Sequence, residues 1–221
     1  MKLKLIFLSV FLLFIFTVIS YTVAKEYWQR VDFDNMVKVQ DKIPRRFDKP
    51  FSLFSLLGSA EVTVGAVVLM ALLSLIRLKF ASFLGWFLIV PATAVEIFGK
   101  LVIFHPAPPV FFQRTIVETH LPSFYVPTNF SYPSGHMTRT AFLVTILAIF
   151  VLVKIKGWKR WLLCLLMLGF ELVMFISRIY LGEHWLSDVV GGGLLGLSAG
   201  LFSAALILGK SRVLSTPKDI R

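Results

Sequence analysis

Apolar residues come in six long runs, roughly Leu5–Ala24, Ala60–Ile76, Phe83–Phe104, Met137–Val153, Trp161–Tyr180 and Asp188–Leu208. A continuous apolar run of ~18 residues or more is long enough to cross a bilayer as a helix. The pattern therefore predicts an all-α protein, a bundle of six transmembrane helices. Between the first two runs lies a polar segment, residues 25–50. There Val31, Phe33, Met36, Val37, Val39 and Ile43 recur with partly helical spacing, which fits a helix lying at the membrane interface. An ordinary outer loop fits as well. In the last run Gly192, Gly196 and Gly200 recur every four residues, a spacing that lets a neighbouring helix approach closely.

Composition agrees. The chain of 221 residues is 57% hydrophobic, with 22 Phe and a mean hydropathy of +0.81, against about 45–50% apolar for soluble domains. It reads as one integral membrane domain over residues 1–221, with a core at about 59–209. The first run follows Met1-Lys2-Leu3-Lys4 as a signal peptide would. Its apolar stretch exceeds the roughly 7–15 residues of a signal h-region and no small-x-small site follows, so it is read as a retained helix. The single cysteine, Cys164, lies in an apolar run and reads as packing.

The net charge of +11 does not indicate nucleic acid, because the cations sit in the links between apolar runs. One side of the bundle would carry Lys2, Lys4, Arg77, Lys79, Lys154, Lys156, Lys159, Arg160, Lys210, Arg212, Lys218 and Arg221, with Asp219 as the one acid. The excess of Lys and Arg makes that side cytoplasmic. The other side holds seven cations and five acids in residues 25–49. If six spans alternate, Lys100, His136, Arg178, His184 and Asp188 all fall at the outer surface. So do all four histidines, 105, 120, 136 and 184.

Those residues form three clusters: Lys100 with Pro106-Ala107-Pro108; Pro133-Ser134-Gly135-His136; and Ser177-Arg178 followed by His184 and Asp188. His184 and Asp188, four apart, share a helical face. A carboxylate on one imidazole nitrogen leaves the other unprotonated and aimed outward, as a nucleophile requires. A helix-start pair that only caps is the plainer reading. The Pro-Ser-Gly-His turn opens a helix, whose free N–H groups can face an anion. His136 at its mouth is placed to protonate a leaving oxygen. Lys100 and Arg178 end apolar spans. They either snorkel to the headgroups or neutralise phosphoryl oxygens in the transition state.

These stretches resemble the type 2 phosphatidic acid phosphatase (PAP2) family, which shares a core with vanadium haloperoxidases and bacterial acid phosphatases. The family pattern is Lys-x6-Arg-Pro, Pro-Ser-Gly-His and Ser-Arg-x5-His-x3-Asp. The second and third parts match completely, over about Phe83 to Leu208. The resemblance implies a membrane phosphatase acting on lipid phosphates or diphosphates, of the undecaprenyl diphosphate, phosphatidylglycerol phosphate or phosphatidic acid type. It implies that His184 attacks phosphorus, Asp188 orients it and His136 protonates the leaving group. Lys100, Ser134, Gly135 and Arg178 would bind the phosphoryl oxygens. No metal or other cofactor is implied. Basic inner loops and small size favour a bacterial cell membrane with the site on the outer face.

The first motif departs from the pattern, because Ala107 stands where arginine is expected. His105, Arg114 and Arg139 are the available substitutes. Arg139, three residues after His136 on the same helical face, is expected to take the role. A catalytically impaired lipid-phosphate-binding relative and a lipid phosphotransferase remain as alternatives. A lipid transporter is disfavoured, because charge within the spans is sparse and one-sided. Glu118 and His120 read as solvated loop residues. Glu61 and Glu96 lie within spans, where a carboxylate needs a partner or a wet cavity. Glu96, four residues before Lys100, is expected to pair with it, whereas Glu171 has no partner identifiable from sequence.

Overall fold

The computed structural model describes residues 1–117 and 128–208, and these are helical with no strand among them. The helices are α1 Lys2–Ala24, α2 Gln29–Lys42, α3 Asp48–Ser55, α4 Ala60–Ile76, α5 Phe80–Phe87, α6 Ile89–Val102, α7 Gly135–Lys154, α8 Trp158–Tyr180 and α9 Leu186–Ile207. Six helical stretches are long and apolar enough to cross a membrane: Lys2–Ala24, Arg45–Ile76, Phe80–Val102, Gly135–Lys154, Trp158–Tyr180 and Leu186–Ile207. The last run therefore begins two residues earlier than its apolar pattern suggests, because Leu186 and Ser187 already lie in the helix.

The third span is two helices rather than one. The break at Leu88 follows from Pro91, which has no N–H to offer the Phe87 carbonyl. Pro91 instead occupies the first turn of α6, where a helix leaves its N–H groups unsatisfied anyway. The second span is preceded by α3 and a 3-10 turn, Leu56–Gly58. Of the two readings of residues 25–50, the structure has a helix, α2. It faces inward: Met36 is fully buried with Phe112, Met137, Met174, Ile179 and Val189. Gln40 Nε2 donates to the Phe112 and Tyr180 carbonyls at 2.7 and 2.9 Å.

Helices α7 and α9 form the centre, each about half buried, while the other spans are mostly exposed. Large apolar side chains such as Phe7, Phe11, Phe14, Leu165 and Leu168 face outward. Water would not tolerate so much apolar surface on a monomer, and lipid does. The glycine stripe of α9 faces α7. A Cβ at Gly200 would lie 2.7 Å from Thr145 Cβ and 2.8 Å from the Phe142 carbonyl oxygen, so this close approach requires glycine. On the opposite side α9 meets α1, where Ser9 and Ser198 exchange side-chain-to-carbonyl hydrogen bonds at 2.8 and 2.9 Å. This packing fixes the starts of α7 and α9 side by side. Ser134 N donates to the Asp188 carbonyl at 3.0 Å.

Candidate active site

His184 lies in the short turn between α8 and α9. Gly182 makes the turn possible, with φ +70°, a region open mainly to glycine. The Glu183 and His184 amides both reach the Arg178 carbonyl at 3.3 Å, closing the turn on the end of α8. Asp188 then does two things. Its Oδ2 accepts from the Trp185 amide at 3.0 Å, capping α9, and faces His184 Nδ1 at 3.2 Å. The capping contact and the contact with His184 thus coexist. An ionised Asp188 selects the tautomer with hydrogen on Nδ1, leaving the Nε2 lone pair free. Burial, with Lys100 and Arg178 nearby, pushes the His184 imidazole down to about 3. It is neutral at physiological pH, as a nucleophile must be.

A cavity of about 590 Å³ lies in front of His184, walled by α3, α4, α6, the start of α7 and the turn before α9. Lys100, Gly135, His136, Arg139 and His184 line it. Ser134, Arg178 and Asp188 are fully buried and lie behind that wall. The Ser134 hydroxyl has no hydrogen-bond partner among the described residues. Gly135 is the first residue of α7, and a Cβ there would strike the Glu96 carboxylate and the Arg139 guanidinium, so any larger residue would displace that ion pair. With α7 starting at Gly135, the amides of residues 135–137 have no acceptor within the helix.

The cations of the site are paired with acids. Glu96, buried within α6, takes Lys100 Nζ on Oε1 at 2.9 Å, the expected helical pair. Its Oε2 takes Arg139 Nη1 at 3.4 Å. Arg178 donates to Ser55 Oγ and is ion-paired with Glu183. Burial alone would raise the Glu183 carboxyl, but Arg178 and the Thr115 hydroxyl hold it below its ordinary value. Glu61 also lines the cavity. Glu171 finds a partner in Thr140 Oγ1 at 3.4 Å and faces a separate apolar cleft between α7, α8 and α9.

Among the three substitutes for the missing arginine, only Arg139 reaches the cavity. Arg114 lies over the Tyr180 ring at 5.0 Å and donates to the Gln40 carbonyl. His105 sits behind Asp188, its Nε2 3.4 Å from Oδ1. Ala107 is exposed and does not line the cavity. Glu118, His120 and the cations beyond residue 208 lie outside the described residues. Among the described residues no group of three or more His, Cys, Asp or Glu side chains is disposed to hold a metal ion.

Sequence reasoning missed Glu183 and Ser55, which hold Arg178, and Asp32 of α2 and Ser187, which meet at the start of α9. Only Glu183, directly before His184, carried a usable signal. The others come from elements whose meeting no spacing encodes.

Residues 83–212 match the PAP2 superfamily, well over half of the chain. The chain belongs to the PAP2 superfamily. Among curated relatives, it is 39% identical over 70 residues to the undecaprenyl-diphosphatase of Sulfolobus acidocaldarius, covering 32% of this chain and 30% of that protein. It is 36% identical over 72 residues to phosphatidylglycerophosphatase B of Bacillus subtilis, covering 32% of this chain and 36% of that protein. The chain thus spans about a third of the length of each of these relatives. The fold of this PAP2 protein is that of a solved transmembrane PAP2-type phosphatidylglycerolphosphate phosphatase from Bacillus subtilis. The TM-score is 0.73 at 18% identity, over 93% of this chain and 98% of that one. Aquifex aeolicus LpxE is similar with a TM-score of 0.53 and 18% identity, over 78% of this chain and 94% of that one. With its six apolar helices, the protein is an integral membrane protein.

Proposed function

We propose that this PAP2 protein is a lipid phosphatase that hydrolyses a lipid phosphate or diphosphate through a phosphohistidine at His184. The observation that carries this reading is the alignment of His184 Nδ1 on Asp188 at 3.2 Å, at the wall of a cavity that also holds His136, Lys100 and Arg139. The His184 Nε2 lone pair attacks phosphorus, and the bond to the leaving oxygen breaks. His136 supplies that oxygen with a proton. Water then attacks phosphorus, His136 takes up its proton, and the P–N bond breaks to release inorganic phosphate. Lys100, Arg139 and Arg178, with the Ser134 hydroxyl and the Gly135 amide, neutralise the equatorial oxygens.

A lipid substrate suits the cavity's length. Thr93 and Ile97 continue its wall along α6 below Lys100, opposite Val64 of α4. Seven residues from Lys100 to Thr93 correspond to about 10 Å of helix, enough for the first part of a chain. The asymmetry of Lys and Arg in the links favours a site on the outer face. Undecaprenyl diphosphate and phosphatidylglycerol phosphate are the first substrates to try, by the names of the relatives, with phosphatidic acid third. One feature favours an impaired, lipid-phosphate-binding alternative: Arg178 is tied to Glu183 behind the wall.

The test is phosphate release by purified protein in detergent micelles, offered the three lipids in parallel without added metal, beside His184→Ala. Release by the wild type alone, with an acid-labile phosphoenzyme trapped on brief exposure to labelled substrate, is the expected result. Equal release by both proteins would remove His184 from the chemistry. No release by folded wild type, with lipid still bound, would favour the binding role.

A further inference from the structure

Behind His184, on the side away from the cavity, lies a second polar cluster that no motif contains. It comprises Asp32 of α2, His105 from the segment after α6, and Ser187 and Asp188 at the start of α9. All four side chains are buried. Asp32 Oδ1 accepts from the Ser187 amide at 2.8 Å, and Oδ2 lies 2.7 Å from Ser187 Oγ. Ser187 Oγ lies 3.0 Å from His105 Nε2. His105 Nε2 lies 3.4 Å from Asp188 Oδ1, an oxygen that has no hydrogen-bond partner among the described residues and that the His105 imidazole is placed to supply.

Counting hydrogens fixes the direction of these bonds. An ionised Asp32 only accepts, so the one hydroxyl hydrogen of Ser187 goes to it. Ser187 Oγ must then accept from His105, which places a hydrogen on His105 Nε2. That same N–H faces the outer oxygen of Asp188. The inner oxygen faces His184 Nδ1 and the Trp185 amide. Every oxygen of Asp188 is thus faced by a donor, the condition for keeping a buried carboxylate charged.

We infer that Asp32, Ser187 and His105 act as a directional relay that holds Asp188 charged and aimed at His184, which makes Asp32 and His105 positioning residues for phosphoryl transfer. The inference rests on the phosphohistidine reading above. A purely structural cluster, tying α2 to the start of α9, would need the bonds but not their direction. The relay depends on direction. A proton on Asp32 would be donated to Ser187 Oγ. Ser187 would turn its hydrogen to His105 Nε2, the imidazole would carry its own hydrogen on Nδ1 instead, and the bare Nε2 would no longer offer Asp188 a donor.

Burial pushes the Asp32 carboxyl up to about 6, against the opposing Ser187 donors and with Asp188 facing it. Burial holds His105 below its ordinary value, against Asp188 and against Glu26 of the turn after α1. The Tyr132 ring packs edge-on to His105, with centroids 6.3 Å apart. Lys100 and Arg178 face His184 from α6 and α8. Asp32 therefore gains its proton as pH falls through about 6.

Four proteins test this: wild type, His105→Gln, His105→Leu and Asp32→Asn. Glutamine carries an amide N–H near the place of Nε2, whereas leucine fills the space without a donor. Loss of the hydrogen-bond partner behind a metal-binding histidine or carboxylate costs about 10–100-fold in other proteins, and the lower end of that range is expected for a partner one residue further back. His105→Leu is expected to lower kcat about tenfold, with KM little changed, and His105→Gln is expected to regain most of it. Asp32→Asn forces the reversed direction, because its amide must donate to Ser187 Oγ. At neutral pH it should show the low kcat that the wild type reaches only below about 6, with that acid limb flattened. Equal kcat in the Gln and Leu variants, or an unchanged acid limb in Asp32→Asn, overturns the relay.

A readout independent of turnover separates failure of the relay from failure of the phosphatase reading. In protein with 15N-labelled histidine, the His184 Nδ1–H resonance reports its bond to Asp188. The relay expects that resonance to move in His105→Leu and to stay in His105→Gln. If it stays in both, the relay is wrong whatever the activity. If wild type releases no phosphate while the resonance behaves as expected, the relay stands and the reaction assigned to the site falls.

Discussion

In front of His184, on its cavity side, Lys100 and Arg139 lean on Glu96, and the fully buried Arg178 reaches through to Glu183 at the cavity wall. Behind it, Asp32 and Asp188 converge on one imidazole, His105. The front lines an open cavity; the back is buried. Ion pairs whose acids line a cavity can exchange partners with an incoming anion. A buried set of hydrogen bonds cannot, because an abandoned polar group costs about 1–3 kcal/mol. The front is thus suited to taking up an anion and letting it go, and the back to holding one geometry throughout.

The largest effect that would break this comparison is at Arg178. Arg178→Ala should lower kcat/KM for lipid phosphate about 10²–10³-fold, the loss expected for one transition-state donor. Arg178→Lys should recover little, since an ammonium cannot reproduce the guanidinium fork. A loss below about tenfold in phosphate release would mean that the buried guanidinium never turns to the substrate, and that the front is not the exchangeable side.

Next is Arg139. We expect Arg139→Ala to cost about 10²-fold in kcat/KM, as the replacement for the cation missing at Ala107. Arg114→Ala should chiefly lower the thermal midpoint, since Arg114 is engaged with the Tyr180 ring and the Gln40 carbonyl. A loss of turnover no larger in Arg139→Ala than in Arg114→Ala sinks the assignment.

The two sides also differ in how far the chain itself announces them. Arg178, His184 and Asp188 were legible because they lie close together in the chain around the turn from α8 to α9, and His136 because it follows the Pro-Ser-Gly turn that opens α7. The six spans were legible from run length alone. The break at Leu88 carried a signal, Pro91, that run length overrides. The inward face of α2 was not legible, because Asp32 and Gln40 look like solvated residues in a polar segment until packing turns them inward. The same holds for the Asp32–Ser187 contact, which joins residues 155 apart in the chain. His105 was noticed for its place beside Pro106, but its task depends on where α9 begins.

A smaller effect is expected at Glu183. Glu183→Gln removes the charge competing for Arg178 while keeping an oxygen to accept from Thr115. Inhibition by inorganic phosphate should tighten about three- to tenfold, on the order of 1 kcal/mol. Unchanged or weaker inhibition would mean that Glu183 steadies Arg178 rather than standing in for the substrate's anion.

The smallest effect is on stability between about pH 6 and about pH 4, where front and back oppose each other. His184 has its folded value depressed to about 3. Its contribution is complete above the unfolded value near 6.5 and is lost as pH falls toward 3. Asp32 has its folded value raised from 3.8 to about 6. Its contribution is complete below 3.8 and is lost as pH rises through 6. Each changes stability by at most about 1.4 kcal/mol per pH unit, with opposite sign. These two contributions should therefore nearly cancel in the wild type across this window. Asp32→Asn should make the thermal midpoint fall more steeply on acidification, and His184→Ala should make it fall less or rise. Parallel slopes in all three proteins would mean that neither group carries its folded-state shift, and that the neutral His184 required of the nucleophile is not set by its burial.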